Sequence, residues 1–466
     1  MLACFGLSAI SAAAQTFTVL HAFTNSPDGA NPRAGLILSG NTFYGTTVEG
    51  GSSGVGTVFR INTDGTCLTN LHSFPVVSGT KSTNSEGAYV SVILVLSGNT
   101  LYGTSYYGGT SGNGTVFRIN TDGTCFTNLH NFTATSGSQY TNSDGSGPSA
   151  GLIMSGNTLY GMTFGGGSTG VGAVFSLNTD GTGFTNLHSF IADSDGSRPQ
   201  AGLILSGNTL YGTASGGGMP NSGTVFKLNT NGTGFTTLYT FTLDSTSGNS
   251  DGAHPEGSFV LSGNTLYGTT VQGGSANVGA VFRINTDGTC FTNLHNFVAV
   301  SDGAYPIGGL IISGNTLYGT AYVGGSSGNG TMFAINTDGT GFTNLHSFTA
   351  TSGPKSINND GAVLYASLLF SGNNLYGMAS AGGSKGNGTL FRLLLPGPQL
   401  TITASRTNAI LAWPTSATIF ALEFTTNLVP PIVWITNSTA PVVINGRDVV
   451  TNTITGTRKF YRLISQ

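Results

Sequence analysis

Ser206-Gly-Asn-Thr-Leu-Tyr-Gly-Thr213 is one of seven versions of the same phrase. The Ser-Gly-Asn starts stand at Ser39, Ser97, Ser155, Ser206, Ser262, Ser313 and Ser371, at intervals of 58, 58, 51, 56, 51 and 58 residues. Periods of this size belong to solenoids, propellers and arrays. Around the phrase, copy four shows four apolar runs. Ala201-Gly-Leu-Ile-Leu205 reads as a short buried strand, turned by Ser206-Gly-Asn208 into Thr209-Leu-Tyr-Gly-Thr213. A Gly-Asn pair between apolar runs is a hairpin signal. A glycine-rich loop from Gly216 to Gly223 leads to Thr224-Val-Phe-Lys-Leu-Asn229, which alternates with period two. Asn231-Gly232, which is Asp-Gly in five other copies, turns the chain into Phe235-Thr-Thr-Leu-Tyr-Thr-Phe241. Four antiparallel strands per copy is the strand count of a propeller blade.

The two ends of the repeat array decide between an open and a closed form. The seventh copy stops after its third strand, Thr389-Leu-Phe-Arg-Leu393. The missing fourth strand has its pattern at the start of the chain, in Thr16-Phe-Thr-Val-Leu-His-Ala-Phe23, which matches Phe184-Thr-Asn-Leu-His-Ser-Phe190. A first strand that completes the last repeat makes sense in a ring, where it also removes an unpaired sheet edge. The expected fold is all-β: a seven-bladed β-propeller over 15–395, its last blade closed by the N-terminal strand, followed by a small β-sandwich over 396–466.

Composition agrees with a folded, turn-rich β protein. Of 466 residues 73 are glycine and only 7% are charged, yet 38% are hydrophobic and sit in phase with the repeat. The net charge of -3 and the scattered basic residues argue against nucleic acid and anionic membrane as partners. No segment has the length and polarity of a transmembrane helix. Residues 1–14 are apolar and end on Ala12-Ala13-Ala14, as a secretory signal does, but lack its basic start, so the signal is expected to be shortened. Cys67, Cys125 and Cys290 share one repeat position with Gly183, Gly234 and Gly341, and are expected to remain unpaired thiols on separate blades.

The phrase Gly-Leu-Ile-Leu-Ser-Gly-Asn-Thr-Leu-Tyr-Gly-Thr, then Gly-Gly, then Gly-Thr-Val-Phe-Arg-Ile-Asn-Thr-Asp-Gly, resembles the GloVer tandem repeat of secreted bacterial proteins. The likeness covers about residues 16 to 395. The di-glycine is kelch-like, although the kelch Trp is absent. The resemblance implies an exported protein with no established catalytic residues to carry over. Beyond the Leu395-Pro-Gly-Pro398 linker, Trp413-Pro414, Thr425-Thr-Asn-Leu428 and Phe460-Tyr-Arg-Leu463 resemble immunoglobulin-like modules that end secreted repeat proteins. That resemblance implies stabilisation, attachment or export sorting.

Repetition filters the candidate site residues. A group present in every blade is structural, because one site does not need seven copies. The tyrosine of the Leu-Tyr-Gly phrase fits this, as do His21, His72, His130, His188, His295 and His346, replaced once by Tyr239. Their ring nitrogens are expected to bond a neighbouring loop. The acids Asp28, Glu86, Asp144, Asp195, Asp251, Asp302 and Asp360 each precede Gly in an interblade loop and are expected to close that turn on their own backbone. Calcium on such carboxylates is the second reading, best placed at Asp144, Asp193 and Asp195, without a complete ligand set. No other cofactor is expected.

Meander geometry puts the interblade and second-to-third loops on one face of the ring, and function concentrates on such variable loops. Within the motif Asp-Gly-Ala-x-Pro-z, position x is Asn31, Tyr89, Gly147, Arg198, His254, Tyr305 and Val363. Position z is Arg33, Ser91, Ser149, Gln200, Glu256, Ile307 and Tyr365. Tyr106, Tyr107, Phe164 and Tyr322 lie near the same face. From these, Arg33, Tyr89, Tyr106, Tyr107, Phe164, Arg198, Gln200, His254, Glu256, Tyr305, Tyr322 and Tyr365 are the candidate ligand-binding residues. Aromatic faces suit sugar stacking, and Arg or Glu would set orientation.

Glycoside hydrolysis needs two placed carboxylates. Glu49 and Glu256 are the pair the face offers, among few acids outside the repeated turns (Asp193, Asp244, Glu423 and Asp448 are the others). No nucleophile elbow, zinc helix or phosphate loop is present. The expected role is a monomeric, secreted or cell-surface binding propeller, non-enzymatic, for extracellular polysaccharide or protein. The alternatives are a structural surface module held by the C-terminal domain, and a polysaccharide hydrolase or lyase.

Overall fold

The computed structural model describes residues 15–242, 250–397, 400–405, 408–414, 420–444, 447–453 and 459–465. The expected leader, 1–14, and Asp244 lie outside the described residues. Seven four-stranded antiparallel sheets run through the repeat array. Copy four is typical: Ile204–Ser206, Thr209–Ala214, Thr224–Asn229 and Thr236–Thr240 pair in chain order. The first strand is shorter than the apolar run predicted for it. Ala201, Gly202 and Leu203 have left the ladder and instead carry alternating groups between the axis and the blade interface.

The repeated phrase is explained by one packing slot. Leu210 is buried at 0% exposure, and Gly212 pairs directly across from Phe226. A Cβ on Gly212 would stand 2.7 Å from the tip of the Phe226 ring and 3.0 Å from Leu203 Cδ2. Glycine therefore makes room for a fully buried phenyl ring in every blade: Phe59, Phe117, Phe175, Phe226, Phe282, Phe333 and Phe391 are all at 0%. Each ring belongs to a core shared by two consecutive sheets.

The last sheet is completed by the first strand. Thr16–Ala22 pairs antiparallel with Thr389–Leu394, with Phe17 opposite Leu393 and Ala22 opposite Thr389. One core joins the seventh copy (Tyr376, Met378, Leu390) to the first (Leu36, Phe43, Phe59), with Phe23 in its middle. The series of packed sheets thus returns to its start.

Polar contacts repeat in step with the cores. On six of the seven outer strands a ring stacks on an aromatic of the next blade: His72 on Phe126, His130 on Phe184, His188 on Phe235, Tyr239 on Phe291, His295 on Phe342 and His346 on Phe17, all at 3.7 to 4.1 Å; opposite His21 the next blade carries Leu68. On the opposite face, each turn carboxylate is held low mainly by the hydroxyl and amide of the Thr two residues on. A cation on the preceding blade's third strand adds to this: Arg60 for Asp122, Arg118 for Asp180, Lys227 for Asp287 and Arg283 for Asp338. Where the third strand carries Ser176 instead, the next turn carries Asn231. Cation and acid are present together or absent together.

Beyond the array, two further sheets share a core of Leu411, Trp413, Leu422 and Val450. One runs Thr401–Ser405, Asn408–Pro414, Arg447–Thr453, Val442–Ile444; the other Ile435–Thr436, Phe420–Thr425, Phe460–Ser465. Cys67, Cys125 and Cys290 are free and exposed. They adopt φ of 55° to 56° and their glycine counterparts 66° to 68°, so the shared position is a left-handed turn that glycine fits without strain.

Because the N-terminal strand is integral, its core residue should count as much as its internal counterparts. Phe23→Ala and the equivalent Phe190→Ala, both at 0% exposure, are expected to cost similar amounts, about 3–5 kcal/mol each, in denaturant unfolding. A much smaller loss for Phe23→Ala would mean that the first strand frays from the seventh sheet.

Candidate functional site

The inner segments bring the seven z residues together. Along Ala-Gly-Leu stretches such as 201–203, alternate side chains face opposite ways. The residues after z and three after z are buried in the blade interfaces, as Ala34 and Leu36 or Ala150 and Leu152 are. Residue z and the one two further on face the axis. All seven z residues, Arg33, Ser91, Ser149, Gln200, Glu256, Ile307 and Tyr365, line one cavity of about 510 Å³. The second tier of the same wall is Gly35, Ile93, Gly151, Gly202, Ser258, Gly309 and Ser367. Six of the seven are glycine or serine, and Ile93 reaches into the space left by Gly35, where a Cβ would stand 2.9 Å from its Cδ1. A Cβ on Gly309 would stand 2.9 Å from Ser367 Oγ and 3.0 Å from the Ser258 carbonyl oxygen on the two flanking blades. The period of two running from z carried this second tier, and sequence reasoning missed Ser258 and Ser367.

The x position has a different job. Its φ is 54° to 66° in all seven copies, with tyrosine, arginine, histidine or even the β-branched Val363 in a region that favours glycine. The backbone explains why. The N–H of Tyr305 donates to the Val278 carbonyl of the preceding blade, and the Tyr305 carbonyl accepts from Tyr322 N–H. The other copies repeat the first bond, for example His254 to Ser222 and Val363 to Asn329. So x is a backbone tie between blades, and its side chain is free to vary. Of the x residues only Tyr89 lines the cavity.

The candidates therefore divide. Arg33, Tyr89, Tyr106, Tyr107, Phe164, Gln200, Glu256 and Tyr365 line the cavity together. Arg198, His254, Tyr305 and Tyr322 are not in that lining. The Arg198 guanidinium lies 5.8 Å from the centre of the Phe164 ring. His254 Nδ1–H donates to the Ser215 carbonyl at 2.7 Å, and Tyr322 accepts from the Tyr365 hydroxyl at 3.2 Å.

The wall has an aromatic side and a polar side. Tyr106 meets Tyr107 edge-on at 4.6 Å and Phe164 at 6.2 Å, and Tyr89 meets Tyr107 edge-on at 5.8 Å. On the polar side Gln200 Nε2 donates to Glu256 Oε1 at 3.1 Å and to Ser215 Oγ at 3.0 Å. Burial pushes the Glu256 carboxyl up, against the opposing field of His254 and the Gln200 bond. Arg33 lies over the Tyr365 ring at 4.7 Å. Burial and the bond to Tyr322 push the Tyr365 phenol up to about 12, so it stays a donor at neutral pH. Glu49 is exposed and outside the cavity. The two carboxylates expected of a hydrolase are not both in its lining.

The acids set aside as turn formers bond across the connection as well as to the local backbone. Asp144 accepts from His130 Nε2 at 2.9 Å and from Thr133 N–H at 3.0 Å. Asp195 accepts from His188 at 2.8 Å, and Asp28, Glu86, Asp302 and Asp360 take the same bond from His21, His72, His295 and His346. Tyr239 donates to Asp251 at 2.8 Å in the copy that lacks histidine. The six histidines are thus spoken for one by one. Asp144 and Asp195 are buried on separate blades and Asp193 is exposed. Among the described residues no three His, Cys, Asp or Glu side chains gather as a metal site.

The Gloeobacter/Verrucomicrobia repeat model matches residues 7–142, 138–251 and 242–419. The chain belongs to this repeat family. No curated protein matches it in sequence. Solved structures of distant sequence align over much of the repeat array. A chain of the nidogen/laminin complex is 14% identical, covers 67% of this chain and 94% of its own, and has a TM-score of 0.40. An oligogalacturonate lyase in complex with manganese is 10% identical, covers 82% and 96%, and has a TM-score of 0.46. The putative TolB from Agrobacterium tumefaciens is 12% identical, covers 71% and 94%, and has a TM-score of 0.36. Likenesses this distant transfer no activity to the repeat family.

The histidine–acid frame makes a pH prediction. Burial raises the carboxyls of Asp144 and Asp360, but the bonds from His130 and Thr133, or His346 and Thr349, outweigh it and leave both below their ordinary value. Their stabilisation is present above the unfolded carboxyl value and lost as pH falls through the folded one. Asp144→Asn should lower stability by about 1–3 kcal/mol at pH 7. In urea titrations the gap to the parent chain should begin to narrow once pH falls below the ordinary aspartate value of about 3.9 and go on narrowing as pH falls through the lower folded one. A gap unchanged in acid would show that the carboxylate charge is not what stabilises the loop.

Proposed function

We propose that this chain is a non-enzymatic binding propeller whose ligand sits in the axial cavity on the interblade-loop face. The reading rests on one observation: the seven variable z residues, one from each copy of the Asp-Gly-Ala-x-Pro-z motif, all line one cavity. A volume of about 510 Å³ falls within the roughly 300–1,000 Å³ range of small-ligand sites. The mixture of tyrosine faces with one guanidinium and one carboxyl suits an extracellular carbohydrate better than an apolar small molecule. On this reading the chain is exported, the array at 15–395 carries the ligand, and the strands beyond 396 serve attachment. A protein partner is the second reading. It is favoured by the exposed apolar residues Ile191, Val298 and Val300 on the interblade loops that rim the same face.

A glycan array and an extracellular pull-down with folded protein test the reading. Tyr106→Ala and Tyr365→Ala should each weaken a detected glycan by about 1–3 kcal/mol, read by calorimetry, without lowering Tm by more than a few degrees. A blank array and a blank pull-down, or a ligand indifferent to both substitutions, would exclude the cavity as the site.

A further inference from the structure

The cavity wall carries hydroxyl donors beside a guanidinium. Ser258 Oγ accepts from Gly202 N–H at 2.7 Å and Ser367 Oγ from Gly309 N–H at 2.9 Å. Neither hydroxyl has another hydrogen bond among the described residues, so each can still donate. Tyr106 and Tyr107 line the same space. Glu256, the one carboxylate in the lining, already accepts from Gln200.

Arg33 is the cation of this wall, and it lacks an anion. It forms no ion pair with a carboxylate among the described residues. Its Nε is buried without a hydrogen-bond partner, and its guanidinium is held over the Tyr365 ring. A buried donor of this kind costs free energy until something accepts from it. A planar guanidinium matches a carboxylate with two parallel N–H···O bonds. The aromatic side, Tyr106 and Phe164, supplies faces on which the C–H groups of a pyranose pack.

We propose that the axial cavity takes the uronic acid end of an oligosaccharide, its carboxylate on Arg33 and a sugar face against Tyr106 and Phe164. This rests on the binding reading given above and narrows it to acidic sugars. Ser258, Ser367 and Gln200 then meet the sugar hydroxyls. The C-terminal carboxylate of a peptide is the competing source of the same anion. The aromatic faces flanked by hydroxyl donors favour the sugar.

The test is calorimetry on the full chain with three probes: a glucuronic-acid-terminated trisaccharide, its glucose-terminated counterpart and a tripeptide with a free C-terminus. The acidic sugar should bind about tenfold or more tighter than the neutral one. Arg33→Gln should abolish that margin, the acidic sugar then binding no tighter than the neutral one. Glu256→Gln, which removes the negative charge from the wall, should hold or strengthen acidic-sugar binding. Equal binding of the two sugars, a margin that survives Arg33→Gln, or preference for the tripeptide overturns the acidic-sugar assignment and leaves the cavity as a binding site. Failure of all three probes with folded protein, together with a blank glycan array, overturns the binding reading as well.

Discussion

The antiparallel ladder between Thr16–Ala22 and Thr389–Leu394 is the constraint on which the rest depends. Without it the seventh sheet would keep three strands and expose an edge. Phe17 would lose His346, Phe348 and Phe391, and Phe23 would leave the core between the seventh and first copies. Each blade buries its phenyl slot against the next, so stability is carried by a series of equal interfaces. A series that returns to its start has no weak terminal member.

A chain with so few charges uses them sparingly and in register. On one face the outer-strand histidine does two jobs, stacking on the next blade and donating to the acid of its own connecting loop. On the other face a third-strand cation faces the next blade's turn acid, and the Ser176 and Asn231 pair shows both members lost together. The turn acids are exposed and act on these cations through space without forming close ion pairs, so they add little stability.

The same economy separates frame from site. Position x spends its backbone on an interblade tie, in a conformation that only glycine adopts at ease. Position z, two residues on, is free of that duty and points at the axis. The glycines and serines that make up all of the second tier but Ile93 let the inner segments approach, which keeps the wall continuous beneath the variable ring. The cavity chemistry can therefore change at z without disturbing the blades.

Much of this is written in the chain itself. Seven phrases, the Gly-Asn and Asp-Gly turns, and a fourth-strand pattern found at Thr16 to Phe23 determine blade number, strand number and the strand that completes the last blade. They do so because period-two alternation and turn residues act locally. Repetition also sorts the histidines and loop acids into the frame, although their mutual bonding, such as His130 to Asp144, is not local and was not read. Tertiary structure alone separates x from z, because only the interblade N–H bond explains why Arg198, His254 and Tyr305 vary without lining the cavity. It alone places Ser258 and Ser367 under the z ring, and Glu49 outside it. It alone leaves Arg33 over Tyr365 without an ion pair among the described residues. Sequence spacing says which residues share a face of one strand. Distance across a ring depends on how seven strands, each some fifty residues from the next, pack about one axis, and that is fixed by packing rather than by order along the chain.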